Sequence, residues 1–362
     1  MKKDIKCNPS SGQADFCIQN EIEKEKISAK EDQEDKIGKY WKKIILTIFG
    51  FLLALLGNYF IPQKAAVEIA VYRIGGLHFD INDNYRIVLL ALMICFLLDG
   101  IISGKNEKNR KHYAHMAAFR FVLGIVLLIW DIGGTKLQIF TQPFFPGPAQ
   151  ILGAFLEEGP FIFQNTLYSL RLYAVGFFIG ATVGIGTGIL IGWFPTVYYW
   201  VHPVLHMTGI IPAVAWMPFA LTLFPTPFSA AVFLIVICVW FPVASLTAMG
   251  IKSTPKQLFE AARILGGGNS YLVFHVAVPH ALPEIFSGFG TSNAFAFTTL
   301  VMAEMMGQPG GLGYYINLSQ VWSAYYKVFA AILVMAILFS FITVLLHAVE
   351  LRALRWQRGL LK

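Results

Sequence analysis

Charge is scarce in this chain. Only 14% of its 362 residues are Asp, Glu, Lys or Arg, against 56% that are hydrophobic. A soluble domain carries about 25% charged residues, so most of this surface is built to meet something other than water. Cysteine is sparse too. Of the four, Cys7 and Cys17 lie in a polar tail and Cys95 and Cys238 in apolar runs, with neither disulfide nor zinc spacing. His275 and His280 flank Pro279 without a Cys or carboxylate at ligand spacing, which argues against a metal site there. Metalloprotease and nucleophile-elbow patterns are missing, which ranks a membrane enzyme low. The stretch GIISGKN at Gly100–Asn106 resembles a phosphate loop. It has one residue too few between its glycines and an Asn where Ser or Thr would hold magnesium, so it reads as the end of a helix. The first apolar run begins only near Ile44, behind a long charged segment, unlike a signal peptide.

What the chain has instead is apolar runs of spanning length. A bilayer crossing takes roughly 20 apolar residues. Eight candidates follow one another: Ile44–Ile61, Ile87–Ser103, Phe119–Ile132, Phe161–Trp193, Leu205–Phe224, Phe228–Gly250, Phe286–Met306 and Val328–Val349. The expected fold is all-α and polytopic; a barrel would show short alternating segments. Residues 1–43 read as a polar cytoplasmic tail too poor in apolar groups to fold alone.

The net charge of +7 is a matter of position. Lys39, Lys42 and Lys43, then Lys105 to Arg120, then Arg352, Arg355 and Arg358 all flank apolar runs. That is the positive-inside pattern of a membrane protein facing lipid, and no nucleic-acid partner is expected. It places both termini and the loop 252–284 in the cytoplasm, and Gln138–Pro160 with Glu157 and Glu158 outside.

That loop opens with STPKQLFEAARILGGG. Ser253 or Thr254 can cap a helix, and Pro255 suits its first position. Leu258, Ala261, Ala262 and Leu265 supply an apolar face beside Glu260, and Gly266 to Gly268 end the helix. Physics alone leaves two uses open: docking into a partner's groove, or lying on the headgroups.

The stretch resembles the EAA loop of permease subunits of ABC importers: Glu-Ala-Ala, three residues, Gly, nine residues, then Ile-x-Leu-Pro. Here the matching residues are Glu260, Ala261, Ala262 and Gly266, then Val276, Val278 and Pro279, with valines replacing Ile and Leu. FFPGPAQILGAF, IIPAVAWMPFALTLF, HALPEIFSGF and VMAEMMGQPGGLGYYI are similar to the nitrate/sulfonate/taurine branch. Where that branch often has Phe-Gly near the end of a span, this chain has LFPTPF. The resemblance covers residues 119–362 and implies a six-helix type I importer permease core, with two extra transmembrane helices over 44–118. It implies that Glu260, Ala261, Ala262, Leu265, Gly266 and Pro279 couple to an ATPase. The implied partners are two cytosolic ATPase subunits, a second permease subunit as a homodimer, and an extracytoplasmic binding protein. ATP and magnesium would be held by the ATPase, leaving this chain without a cofactor. The implied solute is a small anion such as a sulfonate, taurine, nitrate or bicarbonate. A neutral or cationic vitamin precursor and ion-coupled secondary transport are the alternatives.

Within the spans, Gly176, Gly180, Gly184, Gly188 and Gly192 recur every four residues, a spacing that lets helices approach closely in lipid. Arg171, Asn293, Thr298, Glu304 and Trp216 are candidates for the translocation path, since intramembrane polar groups usually face protein or water. Each has a structural alternative. Arg171 can snorkel or pair with Glu157, Glu158 or Glu304, and Asn293 and Thr298 can make interhelical hydrogen bonds. Asp99 is expected to offset Lys105, and Trp216, Met217 and Phe219 to form an apolar gate.

Overall fold

The computed structural model describes residues 38–64, 71–74, 77–139, 141 and 143–356, so most of the expected tail lies outside the described residues. Among the described residues, seven helices are long and apolar enough to cross a bilayer. An eighth candidate is a pair of helices bent by 103°. The chain divides into two compact units, one ending at Gly153 and one beginning at Ala154.

The first unit is a three-helix layer. Helix α1 (Gly38–Phe60) starts before the expected Ile44, so 38–43 are already helical. A short antiparallel hairpin follows, β1 (Val71–Ile74) against β2 (Leu77–Asp80), in the register Val71 to Asp80 and Ile74 to Leu77. The apolar runs do not signal it, although Gly75-Gly76 between the strands is a sequence signal for a two-residue hairpin turn. Helices α2 (Ile81–Ser103) and α3 (Glu107–Asp131) complete the layer. The phosphate-loop look-alike is the junction between them. Gly104 closes α2, and the Asn106 side chain caps α3 by accepting from the Lys108 N–H.

Helices α1 and α3 run parallel. A Cβ on Gly50 would meet the Phe121 backbone at 2.7 Å and one on Gly57 would strike Leu128, while Asn58 hydrogen-bonds Asp131 further along both helices. The antiparallel α2 joins them: Tyr40 donates to the Gly100 carbonyl near one end, and Arg86 donates to Asn58 near the other. Phe51, Ala54, Tyr85 and Leu89 fill the core. Asp99 pairs with Arg120 at 2.9 Å instead of offsetting Lys105. Arg120 reaches it because its guanidinium lies over the Tyr113 and Phe96 rings, whereas Lys105 sits in the turn beyond α2.

Helix α4 (Pro148–Trp193) crosses from one unit to the other and breaks its helical geometry at Glu158, two residues before Pro160. Such a break is the expected effect of an interior proline, which removes a hydrogen bond and crowds the preceding turn. After it come α5 (Pro195–Ile210), a 3-10 turn at Ala213–Trp216 and α6 (Met217–Leu223). Helix α7 (Pro227–Lys252) is capped by Thr226. Beyond it lie α8 (Lys256–Ile264), a single turn α9 (Asn269–Tyr271), a wide turn at Leu272–Ala277, and α10 (Val278–Met305). Helices α11 (Leu312–Val321) and α12 (Tyr325–Ala353) close the unit.

The five-glycine stripe of α4 packs on α7. A Cβ on Gly176, Gly180, Gly184, Gly188 or Gly192 would lie 2.5–2.8 Å from Ile235, Val239, Val243, Thr247 or Ile251, in that order. Small residues on one helix thus admit β-branched ones on the other, the ordinary packing use of such a stripe. Partner and glycine numbers climb together, so α4 and α7 are parallel. Parallel neighbours require the chain to return to its starting side between Trp193 and Pro227. The bent pair is the segment that does so, an eighth candidate span among the described residues. The expected span Leu205–Phe224 is broken in the middle: Pro212 lacks an N–H, and Ile211 before it is extended at φ −77° and ψ 121°, so the helix ends at Ile210 and restarts at Ala213.

Candidate functional site

The loop after α7 is held at both ends by its own backbone chemistry. The Ser253 and Thr254 hydroxyls do not cap α8. They donate back to the Gly250 carbonyl, at 2.9 and 3.4 Å, because the last carbonyls of α7 have no partner within the helix. Pro255 therefore precedes α8, and Lys256 is its first residue. At the far end Gly266 adopts φ +84°, which a side chain would strain. The Gly267 N–H reaches the Ala262 carbonyl and the Gly266 N–H the Arg263 carbonyl, both at 2.9 Å, the paired bonds of a Schellman stop.

One face of α8 is anchored. The Phe259 ring meets Trp193 edge-on at 5.7 Å, beside a core of Ile251, Ala277, Ala281 and Ile285. The other face is bare. Glu260, Ala261 and Leu258 are exposed, and Ile264 and Leu265 are 86% and 88% exposed. Ala262 is half-buried against the anchored side, and half-buried Pro279 lies in the first turn of α10. The loop thus presents a rigid apolar tip beside a carboxylate, stopped by glycine and seated by one aromatic ring.

A second feature lies at the break in the bent pair. A cavity of about 440 Å³ is lined by Thr208, Pro212, Cys238, Phe241, Thr298 and Met302, among others. Thr299 bonds the Cys238 sulfur at 3.0 Å on its wall. Of the expected path residues, Thr298 lines this cavity. Trp216 sits in the neighbouring 3-10 turn, its Nε1 buried without a hydrogen-bond partner, 6.2 Å from the Phe219 ring.

The other candidates sit elsewhere. Asn293 is buried, accepting from Tyr173 and donating to Thr343 at 3.0 Å, so it ties α10 to α4 and α12. Arg171 and Glu304 do not meet. The Arg171 guanidinium lies 5.4 Å from the Phe228 ring centroid. Glu304 is 1% exposed and accepts from the Gly313 N–H at 2.8 Å. Asn165 and Ser169 accept from the Gly311 and Leu312 N–H groups in the same way. Three orphan donors at the start of α11 are satisfied by side chains from α4 and α10, which is what a buried helix N-terminus requires. Gly311, at φ +108°, is required here because a Cβ would collide with the Glu304 carboxylate. Nor does Arg171 reach Glu157 or Glu158, whose carboxylates approach Lys327 at 3.7 and 2.6 Å. Tyr315 donates to Glu158 at 2.8 Å; burial pushes its phenol pKa up, and the carboxylate adds to that.

The cavity residues Thr208, Cys238 and Phe241 were not among the sequence candidates. Pro212 and Pro218, both inside the expected span Leu205–Phe224, were the available signal that the span breaks and leaves room beside it. Among the described residues no three His, Cys, Asp or Glu side chains cluster to hold a metal.

Helices of spanning length with an exposed capped loop define a polytopic membrane protein, and comparison with known proteins places it further. Residues 180–355 match the family described as binding-protein-dependent transport system inner membrane component. A bicarbonate transport system permease of Synechococcus elongatus is 30% identical over 255 residues, 66% of this chain and 87% of that one. A Bacillus subtilis relative named for aliphatic sulfonate transport is 30% identical over 258 residues, 70% of this chain and 92% of its own length. The taurine transport permease of Escherichia coli is 29% identical over 241 residues, 65% and 87% of the two chains. The chain belongs to the binding-protein-dependent ABC importer permeases. It is therefore an inner-membrane transport subunit, not an enzyme, and it works with a separate ATPase chain and a substrate-binding partner.

Proposed function

We infer that this permease carries a small anion inward, with α8 as the element that receives the ATPase stroke. The observation that carries the reading is the bare tip of α8. Two large apolar side chains stand almost fully in solvent on a helix whose ends and seat are fixed. Exposed apolar groups on a rigid element suit a partner's groove, and a rigid helix transmits displacement instead of absorbing it. Glu260 would orient the contact, Ala261 and Ala262 admit close approach, Leu265 fills the groove, and Gly266 and Pro279 fix the two ends. The assembly would hold two copies of this chain, two ATPases carrying ATP and magnesium, and a binding protein on the opposite side. The basic clusters support a cytoplasmic side for both termini and α8. The anion assignment follows the names of the relatives, which specify sulfonate, taurine and bicarbonate transport.

The test is to purify the tagged full chain from its own host under mild detergent and identify what accompanies it, then measure uptake in vesicles. A phosphate-loop ATPase at equal stoichiometry, with uptake that requires ATP, is the expected result. Uptake that persists without ATP and collapses with the proton gradient would overturn it.

A further inference from the structure

Along α5 runs a column of rings. Tyr198 and His202 have centroids 4.5 Å apart, His202 and His206 are 5.1 Å apart, and His206 and Phe241 are 6.1 Å apart. At one end Lys252, the last residue of α7, places its ammonium 3.4 Å from the Tyr198 centroid. At the other end Phe241 is a wall of the 440 Å³ cavity and lies against Gly209. At a rise of about 1.5 Å per residue, successive groups at this spacing stand roughly 6 Å apart along the helix. The column therefore leads from the α8 end of the bundle to the cavity.

Two imidazoles within a candidate span are unusual, because ionisable groups there face protein or water. His202 is half-buried, His206 is exposed, and neither makes a hydrogen bond. Their contacts are with neighbouring rings alone. The charges around them are of one sign. Lys252 is the sole charged residue of α7, and α5 has no carboxylate. Glu284 of α10 lies against Gly250, a different face of α7 from Lys252, and makes no ion pair with it. Helix α4, which packs on the same part of α7, brings apolar Ile191 and Trp193 to this end.

We propose that His202, His206 and Lys252 form an electropositive track by which an anionic solute passes between the cavity and the α8 end of the permease, with Phe241 as the ring it must clear. This rests on the importer reading and deepens it: the positive charge that selects an anion comes from this column, not from Arg171. The Lys252 ammonium supplies the charge, and the imidazole N–H groups offer donors along the column.

Cys238, on the cavity wall, is a built-in reporter. In the full chain with Cys7→Ser, Cys17→Ser and Cys95→Ser, held in membrane vesicles with its partner subunits, Cys238 is labelled with anionic sulfonatoethyl and cationic trimethylammonioethyl methanethiosulfonate. The rate ratio is divided by that of a small free thiol. The anionic reagent is expected to win. Lys252 stands 14 residues along α7 from Cys238, roughly 21 Å, so Lys252→Met should cost less than about twofold in the anionic rate at a dielectric between protein and water, and His202→Leu and His206→Leu, which remove the nearer donors, should each lower it as well. Lys252→Arg should restore the preference. A cationic preference, an unchanged ratio in the triple variant, or a Cys238 inert to both reagents overturns the proposal. Elution profiles matching the natural chain guard against misfolding. The ATPase retained on the chain is scored separately: its absence would sink the importer reading, while the ratio would still report the cavity's charge.

Discussion

Truncating the tip of α8 with Ile264→Ala and Leu265→Ala gives the sharpest separation of docking from folding. Both side chains are nearly bare, so neither contributes to the core, and exposed substitutions usually change stability by about 0.5 kcal/mol or less. Each truncation removes three carbons, about 2.4 kcal/mol per side chain if fully buried by a partner, at about 0.8 kcal/mol per methylene. With half to most of that area covered, the pair contributes about 2–4 kcal/mol to docking. At 1.4 kcal/mol per tenfold, the double variant should weaken ATPase binding roughly 30- to 700-fold. Immobilised permease in detergent, titrated with purified ATPase, reads the affinity, and a thermal scan of the permease alone reads the fold. Undiminished affinity would refute the docking surface. A drop of several degrees in the melting temperature would refute the claim that these side chains are free of the core.

Gly188→Leu should destabilise the α4–α7 pair by about 1–3 kcal/mol or more through overpacking. Gly186→Leu, where a Cβ meets nothing within 4 Å, should leave the detergent melting temperature unchanged. Glu304→Ala should cost about 1–3 kcal/mol by orphaning the buried Gly313 N–H, while Glu304→Gln keeps an acceptor there; equal losses in a thermal scan would contradict the capping role. Gly266→Ala should strain the α8 stop by about 1–2 kcal/mol and speed proteolysis of the loop. Gly268→Ala, at φ −75° in open space, should not.

Most of the architecture was legible because lipid imposes simple rules. Apolar length locates a span, and glycine at every fourth position marks a face that packs closely, as α4 does against α7. The loop motif was legible for a local reason: a helix stop needs a left-handed residue, and Gly266 supplies one whatever surrounds it. Partnerships between distant side chains were not legible. Arg171 and Glu304 looked like a pair because each is a lone charge in an apolar run, yet one lies over Phe228 and the other caps α11. Nothing local in the sequence states which face of α10 meets the start of α11. The break at Pro212 was not read from the sequence, although the proline itself was visible. A proline can kink a straight span or end it, and only the packing of parallel α4 and α7 requires the bent pair to return the chain. The sequence by itself determined where helices run, where α8 stops and which family the chain resembles, since these follow from composition and short-range backbone geometry. The tertiary structure decided that Asn293 binds helices together, that Thr298 faces a cavity, and that His202, His206 and Lys252 line up beside it, because those outcomes depend on which helix faces are brought together.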